Sequence, residues 1–82
     1  MRLPATIRLP FDYRIGLKYA TAREMKRLEA ENLDGFWDPD ERTIYVRKRL
    51  PAKRLRYIIG HELDHAVNDY RLYCVNTGIA QG

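Results

Sequence analysis

Apolar and polar positions divide the chain into segments of different period. Over residues 13–19 they alternate: Tyr13, Ile15, Leu17 and Tyr19 fall on one face, Arg14, Gly16 and Lys18 on the other. A period of two predicts a half-buried strand. Ahead of it, Pro4 and Pro10 bracket the stretch Thr6-Ile7-Arg8-Leu9. This reads as an extended arm over residues 1–12 or as an edge strand, where proline is tolerated. At Thr21 the pattern changes. Thr21 with Glu24 three residues on makes a capping box, and Met25, Leu28 and Leu33 supply a thin apolar stripe for a helix of two to three turns. Asp34-Gly35 closes it.

Phe36 and Trp37 then lead into a hairpin that turns at Asp38-Pro39-Asp40-Glu41 and returns through Thr43-Ile44-Tyr45-Val46. Leu50-Pro51 opens a last helix, with Pro51 suited to its first turn, running through Tyr70. The order strand, helix, hairpin, long helix predicts an α+β fold. It is one minimal domain over residues 1–82, with a core at 13–70 and a tail at 71–82. A small, mostly antiparallel sheet packs against the long C-terminal helix, because neither buries its apolar face alone.

The 82 residues bound what such a domain can do. A chain this short buries only about 60% of its unfolded surface, so a metal or a second copy of the chain would add stability. The single Cys74 excludes an internal disulfide. No apolar run approaches the roughly 20 residues of a membrane span. The first residues also lack the apolar core and cleavage site of a signal peptide, so a cytoplasmic protein is expected. The net charge is +4, and Lys48, Arg49, Lys53, Arg54 and Arg56 are dense. A solvated, ion-paired face is the plain reading of that run. A patch for nucleic acid or another polyanion is the functional one, with Tyr45 and Tyr57 nearby but no recognisable nucleic-acid module.

The chemistry concentrates in Ile58–Tyr70, where His61-Glu62-x-x-His65 holds both histidines of the chain. With Leu55 as origin and about 100° per residue, Leu55, Ile59, Leu63, Ala66 and Tyr70 form the buried face. His61 and His65 lie side by side off its centre, Glu62 and Asp69 fall between them and that face, and Asp64 points away. Two imidazoles one turn apart can hold Zn2+ through nitrogens at about 2.0–2.1 Å. Glu62 beside them could reach a metal-bound water. The third ligand is open: Asp69 is the first candidate, with Cys74, a residue of another chain, an upstream acid, or water alone as the alternatives. Against this stands the bland alternative of two exposed histidines and a solvated Asp69. Gly60 inside the helix costs about 1 kcal/mol against Ala, and a close approach of the sheet is one reason to accept that cost.

The block from Gly35 to Ala66 resembles the core of the ImmA/IrrE-type metallopeptidases, a minimal zincin group. Gly35, Asp38, Arg42, Ile44 and Val46 carry the likeness, followed by His61, Glu62, Leu63 and His65. Asp64 stands where that family has Gly, and its third acidic ligand comes from a later helical segment without a counterpart here. The resemblance implies a zinc-dependent peptidase with His61 and His65 as ligands and Glu62 as general base. It also implies that the strand around Thr43–Val46 is a sheet edge to which an extended peptide adds.

On this reading Zn2+ on His61, His65 and Asp69 activates a water to cleave a peptide or protein substrate. Glu62 moves the proton, and Tyr70 or Arg54 steadies the oxyanion. The rival is a non-catalytic zincin-like regulatory or binding module, using the basic face for nucleic acid or a protein partner. A homo-oligomer that covers the sheet or lends a ligand is the third expectation.

Overall fold

The structure is a computed structural model and describes residues 6–78. The alternating stretch forms β2 (Tyr13–Tyr19), with Tyr13, Ile15 and Leu17 buried and Arg14 and Lys18 exposed. Thr6–Leu9 is β1, an edge strand antiparallel to β2, with Ile7 opposite Ile15 and Arg8 opposite Arg14. The first five residues of the expected arm lie outside the described residues. The hairpin tip holds Phe11 and Asp12 in the left-handed region, at φ 65 and 60.

Helix α1 (Ala22–Glu31) begins as the capping pattern predicts. The Thr21 backbone N–H and hydroxyl both donate to the Glu24 carboxylate, at 3.0 and 2.7 Å. It ends at Asn32 in the left-handed region, which Asn tolerates better than most residues. Its buried residue, Leu28, packs with Ala20, Phe36 and Tyr45 on one side of the sheet.

The hairpin is β3 (Gly35–Asp38) and β4 (Thr43–Val46), antiparallel. Asp38 Oδ1 accepts the backbone N–H groups of Asp40 and Glu41 and so shapes the turn. The strand order is β1-β2-β4-β3, and β2 runs parallel to β4, with Gly16 opposite Thr43 and Tyr19 opposite Val46. The sheet is therefore mixed, with α1 and β3 in the connection between its parallel pair. Strand β4 is interior and buried at all four positions. The edges are β1 and β3, which corrects the expectation that Thr43–Val46 forms the edge.

Helix α2 (Ala52–Asn76) crosses the face opposite α1. Leu55, Ile58 and Ala66 join Ile15, Leu17, Ile44 and Val46 in the main core. The buried line of the helix is thus Leu55, Ile58, Glu62 and Ala66, rotated from the expected Leu55-Ile59-Leu63 axis. Gly35 explains the rotation. A Cβ there would lie 2.6 Å from Ile58 Cγ2 and 2.9 Å from the Tyr45 carbonyl oxygen, so only Gly lets β3 and α2 close this far. A Cβ at Gly60 would meet no atom within 4 Å beyond its own helix backbone, so the close approach expected there is absent. The helix continues through Asn76 because its later turns still find the core. Tyr70 and Tyr73 each rest against Tyr13 with ring centroids 5.1 Å apart, and Cys74 is buried. No described helix is long and apolar enough to cross a membrane.

Candidate functional site

The edge strand and the motif helix enclose a groove. At one end Gly35 brings β3 against Ile58. Toward the other, Trp37 Nε1 donates to Asp69 Oδ2 at 2.5 Å, fastening the strand to the helix. Two cavities open along this line and share Glu62. One is lined by Arg27, Phe36, Trp37, Pro39, Glu62, His65, Asn68 and Asp69, the other by Asn32, Leu33, Asp34, Gly35, Arg54, Tyr57, Ile58, His61 and Glu62; the Arg27 guanidinium is itself engaged by Glu31.

Each anticipated site residue has a definite place. His61 and His65 are exposed and meet edge to face at 5.3 Å between centroids. His61 also lies nearly parallel to Tyr57, at 6.2 Å. Asp69, the first candidate for third ligand, accepts from the Trp37 indole. Arg54 is drawn to Asp34, its Nε 2.9 Å from Oδ2. Arg47 reaches the other oxygen of that carboxylate at 3.4 Å and donates to the Leu33 carbonyl. Tyr70 sits edge to face on Tyr13 and lines neither cavity, and burial raises its phenol above the ordinary range. Arg42, which helps carry the family resemblance, lies over the Tyr13 and Tyr73 rings at 4.2 and 5.1 Å, bracing β4 against the end of α2.

These placements overturn the metal site. Among the described residues no three His, Cys, Asp or Glu side chains come together in a group that could hold a metal ion. The physical causes are local. Helix α2 stays helical through Asn76, so Asp69 does not swing toward the histidines, and Trp37 occupies its carboxylate. Cys74 is buried. A histidine pair alone falls short of the three protein ligands of a catalytic zinc. The expected Zn2+ cofactor, the metal-activated water and the zinc metallopeptidase activity are therefore withdrawn. So is membership of the active ImmA/IrrE-type peptidases. The small α+β domain with a long C-terminal helix remains consistent with a zincin-like layout.

Glu62 is the residue whose setting most departs from expectation. It is only 9% exposed, under the edge strand, and its carboxylate has no hydrogen-bond or ion-pair partner among the described residues. Trp37 and Asp34 had not stood out as site residues. A buried indole N–H usually finds an acceptor, which was the available signal for Trp37, but nothing in the chain pointed to Asp69 as that acceptor.

The chain matches no known protein family, no curated protein and no solved structure.

Proposed function

We propose that this chain is a non-catalytic binding module, zincin-like in layout, that holds an extended segment of a protein partner along the free edge of β3. A cationic side chain of that segment meets Glu62. The reading rests on Glu62, a residue only 9% exposed whose carboxylate opens to solvent, without a hydrogen-bond or ion-pair partner among the described residues, where the two cavities meet. A segment laid along the groove would cut this charge off from water, and a charge so covered is costly unless paired; an incoming ammonium or guanidinium supplies the pair. The neighbouring carboxylates are already engaged, Asp34 by Arg47 and Arg54 and Asp69 by Trp37, which leaves Glu62 as the receiving group. An edge strand offers unpaired backbone donors and acceptors, and strand addition uses them without any need for catalysis.

A library of extended peptides with one Lys or Arg at varied positions tests this. Peptides with a basic residue should bind wild type, and Glu62→Gln should weaken them about thirtyfold or more, the range for losing one partner of a charge pair buried in the complex. Absence of peptide binding, or equal binding by Glu62→Gln, overturns the proposal.

A further inference from the structure

A second surface lies on the other side of the sheet and stands independently of the groove. In β1 and β2 the positions that alternate with the core residues Ile7, Leu9, Ile15 and Leu17 are Thr6, Arg8, Arg14, Gly16 and Lys18. They face away from α2. Arg8 and Arg14 are direct cross-strand partners. Like charges placed opposite each other in a ladder are destabilising, so this pair costs the fold stability. Arg8, Arg14 and Lys18 are exposed, and none has a hydrogen bond, ion pair or ring contact among the described residues.

The floor between them is low. Gly16 separates Arg14 from Lys18 and pairs with Thr6 on one side and Thr43 on the other. A Cβ on Gly16 would come 2.8 Å from Thr43 Oγ1, so the position is kept bare. Arg14 and Lys18 stand about 13 Å apart along the strand. Past Lys18 the positive track continues beyond β4, where Lys48 and Arg49 line a hollow with Ala20, Thr21, Met25 and the Asp34-paired Arg47. The acidic groups on this side gather instead over β3 and β4. There Glu24 is held by Thr21, Asp38 by its own turn and Glu41 by the Tyr45 hydroxyl. At the opposite end of the track, beside Asp12, Phe11 stands 56% exposed at the hairpin tip. Its left-handed backbone is unusual for a bulky residue and holds the ring there at a conformational cost.

We infer that this face binds the phosphate backbone of single-stranded nucleic acid, with Arg8, Arg14 and Lys18 meeting phosphates and Phe11 stacking on a base. Unpaired cations along an exposed strand pair, with an exposed aromatic ring at one end, are the combination that single strands use. On this face α1 packs over Phe36 and Tyr45 of β3 and β4, so the exposed cations Arg8, Arg14 and Lys18 are carried by strands and not by a helix placed to enter a duplex groove.

The test is fluorescence anisotropy with a labelled mixed-sequence single-stranded oligonucleotide, the matching duplex and a polyglutamate peptide, across a salt series. Wild type should bind the single strand best, with log K falling against log salt at a slope of about −2, as three phosphate contacts on a single strand require. Arg14→Gln and Lys18→Gln should each make that slope shallower by about 0.7. Phe11→Ala should weaken binding about tenfold, the scale of one lost stacking contact. Lys53→Gln, on α2 across the sheet, and Glu62→Gln should leave it unchanged, so the groove and this face fail or succeed separately. Thermal unfolding of each variant confirms that it is folded. The inference is overturned by an absence of binding at low salt, by polyglutamate binding as tightly as the oligonucleotide, or by a wild-type slope in both Arg14→Gln and Lys18→Gln.

Discussion

Trp37 and Asp69 stand 32 positions apart in the chain and are joined by a 2.5 Å hydrogen bond from indole to carboxylate. The bond ties the edge strand to the motif helix and gives Asp69 a structural role. Asp69→Ala leaves a half-buried indole N–H without its acceptor and should cost about 1.5–3 kcal/mol, the range for a hydrogen bond to a charged group. Asp69→Asn keeps an acceptor and should lose less. Urea denaturation of the two variants measures both, and an Asp69→Ala variant as stable as wild type would remove the tie from the account.

Metal should be irrelevant to this fold. A structural zinc adds its binding free energy to stability, so a chelator unfolds or weakens proteins that depend on one. Among the described residues the motif histidines lack a third protein ligand, so EDTA should leave the melting temperature unchanged. Purified protein should carry no stoichiometric zinc. A fall in melting temperature with EDTA, reversed by zinc, would restore the metal site.

Two glycines, Gly35 of β3 against α2 and the exposed Gly60 within α2, predict opposite outcomes. Gly35→Ala drives a methyl group into Ile58 Cγ2 and the Tyr45 carbonyl, an overpacking expected to cost about 1–3 kcal/mol. Gly60→Ala meets nothing within 4 Å and improves helix propensity by about 1 kcal/mol. The midpoints of chemical denaturation should move in opposite directions.

Stability should also fall at alkaline pH through Tyr45. Its hydroxyl donates to Glu41 at 2.7 Å, and that bond, with burial, raises the phenol from its ordinary 10.0 to about 12. A folded-state pKa above the unfolded value means the contribution is complete below pH 10 and is lost as the pH rises through about 12. Burial shifts Tyr13 in the same direction. Tyr45→Phe should therefore flatten the loss of stability between those two pH values, and denaturant midpoints measured across the range would show it.

Much of the local structure was legible because it is set by near neighbours. The alternation of Tyr13–Tyr19, the Thr21–Glu24 cap and the Asp38 turn each depend on residues within a few positions, and all three appear. What escaped depends on distant partners. Two short strands do not announce that they will lie parallel, so the place of Thr43–Val46 inside the sheet was hidden. Helical phase alone put Glu62 at the border of the buried face. The small volume of Gly35 lets Ile58 press against β3 and brings Glu62 under the edge. Two histidines and a glutamate at the expected spacing define a motif, yet the third ligand depends on where Asp69 turns, and a tryptophan on another element decides that.

The parallel pairing of β2 with β4 has a consequence for how the molecule assembles. Each hairpin, β1–β2 and β3–β4, closes between neighbours in the chain, whereas the parallel ladder must bring residue 16 beside residue 43 with α1 and β3 already looped out. Such a non-local closure pays its chain entropy before any contact repays it. Substitutions along the seam between Leu17 and Ile44 should then slow folding more than equally destabilising ones within either hairpin, a difference that stopped-flow refolding can resolve. The middle of the sheet, not its motif helix, would be the kinetic bottleneck of this chain.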